Sequence, residues 1–165
     1  MLHSIEEFHQ AWTMESGITL KVLKALTDQS LGQAVAPGGR TLGRLAWHTV
    51  LALPEMGRHA GLEVEGPPET AAIPRAAEMV ATYERCARSL GEAIGNQWTD
   101  EMLADKIPMY GEEWTRAQTL MALIAHQTHH RGQMTVLMRQ AGLAVPGVYG
   151  PSREEWAAYG MPAQD

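Results

Sequence analysis

Apolar positions along the chain recur at helical spacing in four long stretches, with Gly and Pro between them. In the first, Ile5, Phe8, Trp12, Ile18, Val22, Leu23 and Leu26 share a stripe, and Ser4 with Glu7 three residues on forms a capping-box pattern at its start. The step from Trp12 to Ile18 breaks the rhythm and contains Gly17, which marks a place for a bend or a break. The pattern fades by Gln29, and "APGGR" (Ala36 to Arg40) interrupts it fully. The second stretch starts at Thr41 as N-cap and runs to Ala60, with Leu42, Leu45, Thr49, Leu53 and Met56 on one face. Pro54 lies inside it, where it predicts a kink or a lost backbone bond. A third stretch opens near Pro74, carries Val80, Tyr83, Ala87, Leu90 and Ile94, and ends around "GNQW". The fourth runs from Trp114 or Thr115 to Ala141 and is stopped by Gly142.

Two shorter helical signals remain, "TDEMLA" before the fourth stretch and "SREEWAAYG" in the C-terminal tail. Little reads as strand. Four helices with one apolar stripe each predict an all-α four-helix bundle, a single domain over residues 1–165 with a short C-terminal helix. The first-to-second and third-to-fourth connections are long enough to cross the bundle.

Composition narrows the function classes. The chain has 165 residues, 45% hydrophobic and 19% charged, which suits one soluble domain with a real core. A net charge of −6 and the absence of a Lys/Arg cluster argue against nucleic-acid binding. No apolar run approaches the roughly 20 residues of a membrane span, and "MLHSIEEFHQ" lacks a signal peptide's basic flank and apolar core. With Cys86 as the one cysteine no internal disulfide can form, so a cytoplasmic location is expected. Cys86 lies beside the third stripe with no activating context and reads as an inert buried thiol.

The candidate chemistry lies in "IAHQTHHRGQM", Ile124 to Met134. At about 100° per residue, His126 and His130 share the stripe of Leu123, Met134 and Leu137, whereas His129 points toward its edge. Two buried imidazoles need partners for their ring nitrogens. Neighbouring side chains could provide them, as for ordinary core histidines. One metal ion could satisfy both rings at once, and the i, i+4 pairing tilts the reading that way. A further ligand would come from another helix. His48, in "LAWHTV" on the apolar face of the second stretch, is better placed than His59 near its end, while His3 and His9 read as surface residues. Glu55, two turns from His48, reads as an exposed carboxylate or as an acceptor for a ring N–H. Arg131 points off the stripe and reads as a surface charge or as a contact to an anionic ligand. The spacing is not that of a zinc protease, because Gln127 stands where such a helix needs a Glu base.

"HQTHHRGQMTVLMRQAGL" resembles the fourth-helix signature of the DinB/YfiT-like superfamily, H-x-x-x-H-R-G-Q, through His126, His130, Arg131, Gly132 and Gln133; "LAWHTV" resembles its second-helix histidine at His48, and "VPGVYGPSREEW" resembles its tails. The resemblance implies a four-helix bundle, often a homodimer, with a divalent ion, zinc or nickel, on His48, His126 and His130. It also implies a function among metal-dependent thiol transferases, metal-dependent hydrolases and members of unassigned activity. The transferase reading, with a small thiol and an electrophile as partners in stress or detoxification, is the leading expectation. Hydroxide-based hydrolysis and a non-catalytic metal- or small-molecule-binding module stand as alternatives. Gln133 and Arg131 are the candidates for orienting ligands or touching substrate.

Overall fold

A computed structural model describes residues 2–163. Four helices carry the fold: α1 (Ile5–Lys24), α2 (Leu42–His59), α3 (Ala76–Gln97) and α4 (Arg116–Gln140). Single 3₁₀ turns lie at Asp28–Gly32, Asp100–Ala104 and Trp156–Tyr159, and a hairpin of β1 (Lys106–Met109) and β2 (Glu112–Thr115) precedes α4. Helix α1 packs on α3 and α4, and α2 packs on the same two helices. The first and second helices therefore face each other across the bundle, as do the third and fourth. Residues 25–41 and 98–115 must cross it, as their length suggested.

The helix ends show how local signals and tertiary partners share the capping. Thr41 accepts from the Arg44 N–H, and Thr115 with Gln118 forms a complete capping box. Ser4 accepts from the Glu7 N–H as expected, but the Glu7 carboxylate takes the His3 N–H instead of closing the box. Asp100 receives the Ile5 N–H at 2.7 Å. Helix α3 begins at Ala76 with no side-chain cap of its own, and Asp28 from the 3₁₀ turn after α1 takes the Ala76 N–H at 2.8 Å. These two carboxylates tie the crossing segments to helix N-termini.

Two features differ from expectation, the course of α1 and the hairpin. Helix α1 runs unbroken through Gly17. The irregular step in its stripe arises because two inward positions there, Glu15 and Thr19, are polar and buried. Helix α2 remains one helix through Pro54, which has no N–H to give, so the backbone bond expected to be lost there is lost. The hairpin was not anticipated: Lys106 pairs with Thr115 and Met109 with Glu112, closed by Tyr110 and Gly111, both at positive φ (53° and 86°). That is a tight two-residue turn whose second position suits glycine. Among the described residues no helix is long and apolar enough to cross a membrane.

The core forms one cluster from all four helices, with Phe8, Leu23, Leu45, Leu53, Met79, Tyr83, Leu90, Ile94 and Leu120 almost fully enclosed. Cys86 is buried in it, and desolvation raises its thiol pKa, as expected of an inert cysteine. The connection after α2 lies tightly against the bundle: a Cβ on Gly66 would stand 2.7 Å from Pro54 and 2.9 Å from the Cys86 sulfur. This close approach brings Glu69 to the rim of the cavity described next.

Candidate metal centre

His48 from α2 and His126 and His130 from α4 meet on the inner faces of these two helices. The His126 Nε2 lies 3.1 Å from the Nε2 of His48 and 3.1 Å from that of His130. The three candidate ligand atoms all lie within 4.8 Å of one another. His129 is exposed and stays out of the cluster, as its angle predicted. His59 is exposed as well and pairs with Glu55. His3 is exposed, and His9 is half-buried against Gly95.

The protonation states within the cluster can be worked through. His130 Nδ1 stands 2.7 Å from the Gln133 side-chain oxygen, which can only accept, so Nδ1 carries the proton and Nε2 presents a lone pair. For His126 to bond His130 it must then protonate its own Nε2, and it has no lone pair left there to receive from His48. No neutral arrangement gives each 3.1 Å contact its own proton. The buried His126 Nδ1 also has no hydrogen-bond partner. Adding protons is opposed by burial: desolvation first, then the other histidines, lowers His126 to about 4. Desolvation, His130 and the nearby Arg40 and Arg44 lower His48 to about 4. Desolvation lowers His130 too, partly offset by its bond to Gln133.

Such a set of lone pairs without protons is what a cation satisfies. Two nitrogens each 2.0–2.1 Å from one ion stand about 2.9 Å apart at a right angle and about 3.3 Å apart in a tetrahedron. The observed 3.1 Å falls between these values. The residues present could therefore hold a divalent ion, with Gln133 orienting the His130 ring.

Beside the cluster opens a cavity of about 470 Å³, lined by His48 and His126, the apolar Leu51, Ala52, Met56, Trp114 and Ala122, and the polar Arg44, Glu55, Glu69 and Tyr110. The polar groups could not be read from the stripe around the His126–His130 pair, which is apolar. They come from α2, the loop after it and the hairpin tip. Glu55 does not accept from a ligand ring; the Tyr110 hydroxyl stands 2.8 Å from both of its oxygens.

Arg131 occupies a different place from the one expected. It is only 1% exposed and pairs with Glu15 of α1, while also donating to the Glu15 backbone carbonyl at 2.9 Å and the Thr19 hydroxyl at 2.8 Å. The tail caps this pair through Tyr149, whose hydroxyl bonds the Glu15 carboxylate at 2.8 Å and also meets Arg131. Arg131 thus points about 100° away from His130 around the helix, into the α1 interface. Gln127 is also structural: fully buried, it accepts from Tyr83 at 3.2 Å and donates to the Thr49 carbonyl at 2.9 Å.

Comparison with known proteins agrees with this architecture. The model of the DinB family matches residues 1–165. "Uncharacterized protein YrdA" of Bacillus subtilis (strain 168) is 43% identical over 164 residues, 99% of this chain and 98% of that protein. The crystal structure of a DinB-like protein from Bacillus cereus ATCC 10987 superposes with a TM-score of 0.87 at 47% identity, covering 90% of this chain and 100% of the other. A DinB-like protein from Bacillus subtilis, YjoA, shares the fold at a TM-score of 0.68 and 16% identity, over 86% and 96% of the two chains.

Proposed function

The chain belongs to the DinB family, and from that premise we propose that it is a metal-dependent transferase joining a small thiol to an electrophile, with His48, His126 and His130 holding a zinc or nickel ion. The observation that carries this reading is the convergence of three under-protonated imidazoles, two of which, His48 and His126, line an open cavity. A divalent ion at such a site supplies a Lewis acid that favours the thiolate over the thiol near neutral pH.

The chain's own groups do the rest. Gln133 holds the His130 ring in the tautomer whose Nε2 is free. The lowered proton affinities of His48 and His126 keep them neutral, and so available as ligands, well below pH 7. Leu51, Ala52 and Met56 offer an apolar wall to an electrophile, and Arg44, Glu55, Glu69 and Tyr110 offer polar contacts beside it. This mixture supports a catalytic cavity over a simple metal-storage site, which needs no polar groups around an open position.

The test begins with metal content after purification without an affinity tag, for the wild type and for His48→Ala, His126→Ala and His130→Ala. One equivalent in the wild type and loss in each variant is expected. A wild type free of stoichiometric metal, with variants that bind added metal as well as it does, rejects the site. A panel of cellular thiols with a chlorinated or epoxide electrophile then tests the reaction; no metal-dependent conjugation with any of them rejects the transferase.

A further inference from the structure

Two carboxylates, Glu55 and Glu69, line the cavity beside the histidines, and Glu55 shares a helix with His48. Glu55 follows His48 by seven residues, which returns it to within about 20° of the same face of α2, about 10 Å further along. Helical side chains lean toward the N-terminus, so Glu55 leans back toward His48, and both line the same cavity. The Glu55 side chain is 17% exposed. Its partners are the Tyr110 hydroxyl, 2.8 Å from each oxygen, and the His59 ring, whose Nδ1 is 3.4 Å away. The phenol has one proton to give, so lone pairs remain on the carboxylate.

Tyr110 is placed there at a cost. It is the one non-glycine residue at positive φ among the described residues. The two-residue turn requires a positive φ at this position, where Asn, Asp or Gly is the usual residue. Its ring stacks on His59 at 5.2 Å and meets Trp114 edge-on at 5.8 Å. Half of the residue is nonetheless exposed, so core packing does not explain the arrangement. Desolvation, then the bond to Glu55, raises the hydroxyl pKa and keeps it a donor.

We propose that Glu55 is the general base of this cavity, taking the proton of the nucleophile that enters beside His48 and His126, and that Tyr110 positions its carboxylate. The inference rests on the thiol-transfer reading and adds a residue to it. In the step, the S–H bond breaks and the proton passes to a Glu55 oxygen. The electron pair stays on sulfur and forms the new bond to the electrophilic carbon, whose leaving group departs with its own bonding pair. Glu55 then releases the proton to the leaving group or to water.

The test reads proton removal without turnover. The full chain is loaded with Co(II) and mixed with 2-mercaptoethanol in a stopped flow, and the sulfur-to-cobalt charge-transfer absorption is followed. Glu55→Gln is expected to hold one equivalent of cobalt and to reach the wild-type final absorbance at saturating thiol, but about a hundredfold more slowly. Glu55→Asp should recover part of the rate, and Tyr110→Phe should show a smaller slowing. A Glu55→Gln protein whose absorption rises at the wild-type rate overturns the proposal and leaves the metal site standing. Loss of cobalt from Glu55→Gln alone makes Glu55 a part of the metal site and also overturns it. A wild type that binds no cobalt overthrows the metal reading and this proposal together.

Discussion

Helix α4 carries two polar clusters on neighbouring faces, and they are built to opposite rules. Toward α1, the two terminal nitrogens of Arg131 meet Glu15, Thr19 and Tyr149 around a buried ion pair, and only its Nε lacks a partner. Toward α2, His126 and His130 meet His48 with too few protons for their contacts and with one buried nitrogen unpartnered. The first cluster is closed by the tail, whereas the second opens onto a cavity. The first cluster pairs its opposite charges within the chain; the second keeps ring lone pairs that the chain does not fill.

The contrast is broken most directly at Arg131. Replacing it with Met leaves Glu15 buried without a counter-charge and should cost about 3–5 kcal/mol in urea unfolding. Glu15→Leu with Arg131→Met should restore most of that loss, because apolar residues can replace a buried pair. If Arg131→Met alone unfolds like the wild type, the cluster is not structural. At the other cluster, His126→Ala should change the stability of the metal-free protein far less while lowering metal affinity by roughly a hundredfold or more, more than loss of an outer partner does. Competition with a chromophoric chelator reads the second quantity.

Acidity sharpens the same contrast. His48 and His126 titrate near pH 6.5 in the unfolded chain but at about 4 in the fold. Between those values the unfolded chain binds more protons, so the metal-free fold loses stability as pH falls. The contribution is whole above about pH 6.5 and lost once pH passes below about 4. Metal affinity should accordingly persist through pH 6 and collapse only toward pH 4–5, followed by chelator competition across that range. An affinity already lost at pH 6 would mean that the imidazoles titrate normally. Gln133→Ala should lower metal affinity by about 10- to 100-fold with little change in unfolding, since the residue is exposed and acts on one ring. The smallest effect is expected of Tyr149→Phe, which removes a half-exposed hydroxyl shared by Glu15, Arg131 and Thr128 at the rim of the buried pair and should cost about 1 kcal/mol.

The four helices were legible because their apolar stripes have the period that the bundle buries, and α2 and α4 begin at the threonines that mark them. The helix pair His126 and His130 was legible for the same reason, as i, i+4 spacing places two side chains on one face whatever lies opposite. The signal failed where burial is polar. Glu15 and Thr19 looked like a gap in a stripe, and Arg131 looked like a surface charge, because each is stabilised inside by partners far away in the chain. The hairpin was missed because each strand has only four residues, too few for alternation to stand out, though Tyr110–Gly111 marks its turn.

By itself, then, the sequence determined which segments are helical, which face of each turns inward and that two histidines share one of those faces, since periodicity is a property of one segment. Only the tertiary structure decided what meets those faces: His48 opposite the pair, Glu15 under Arg131, Asp28 on the start of α3, and Tyr110 over Glu55. Each of these joins residues far apart in the chain or on different elements. Their proximity follows from how two crossing connections set the helices side by side, which no local pattern encodes.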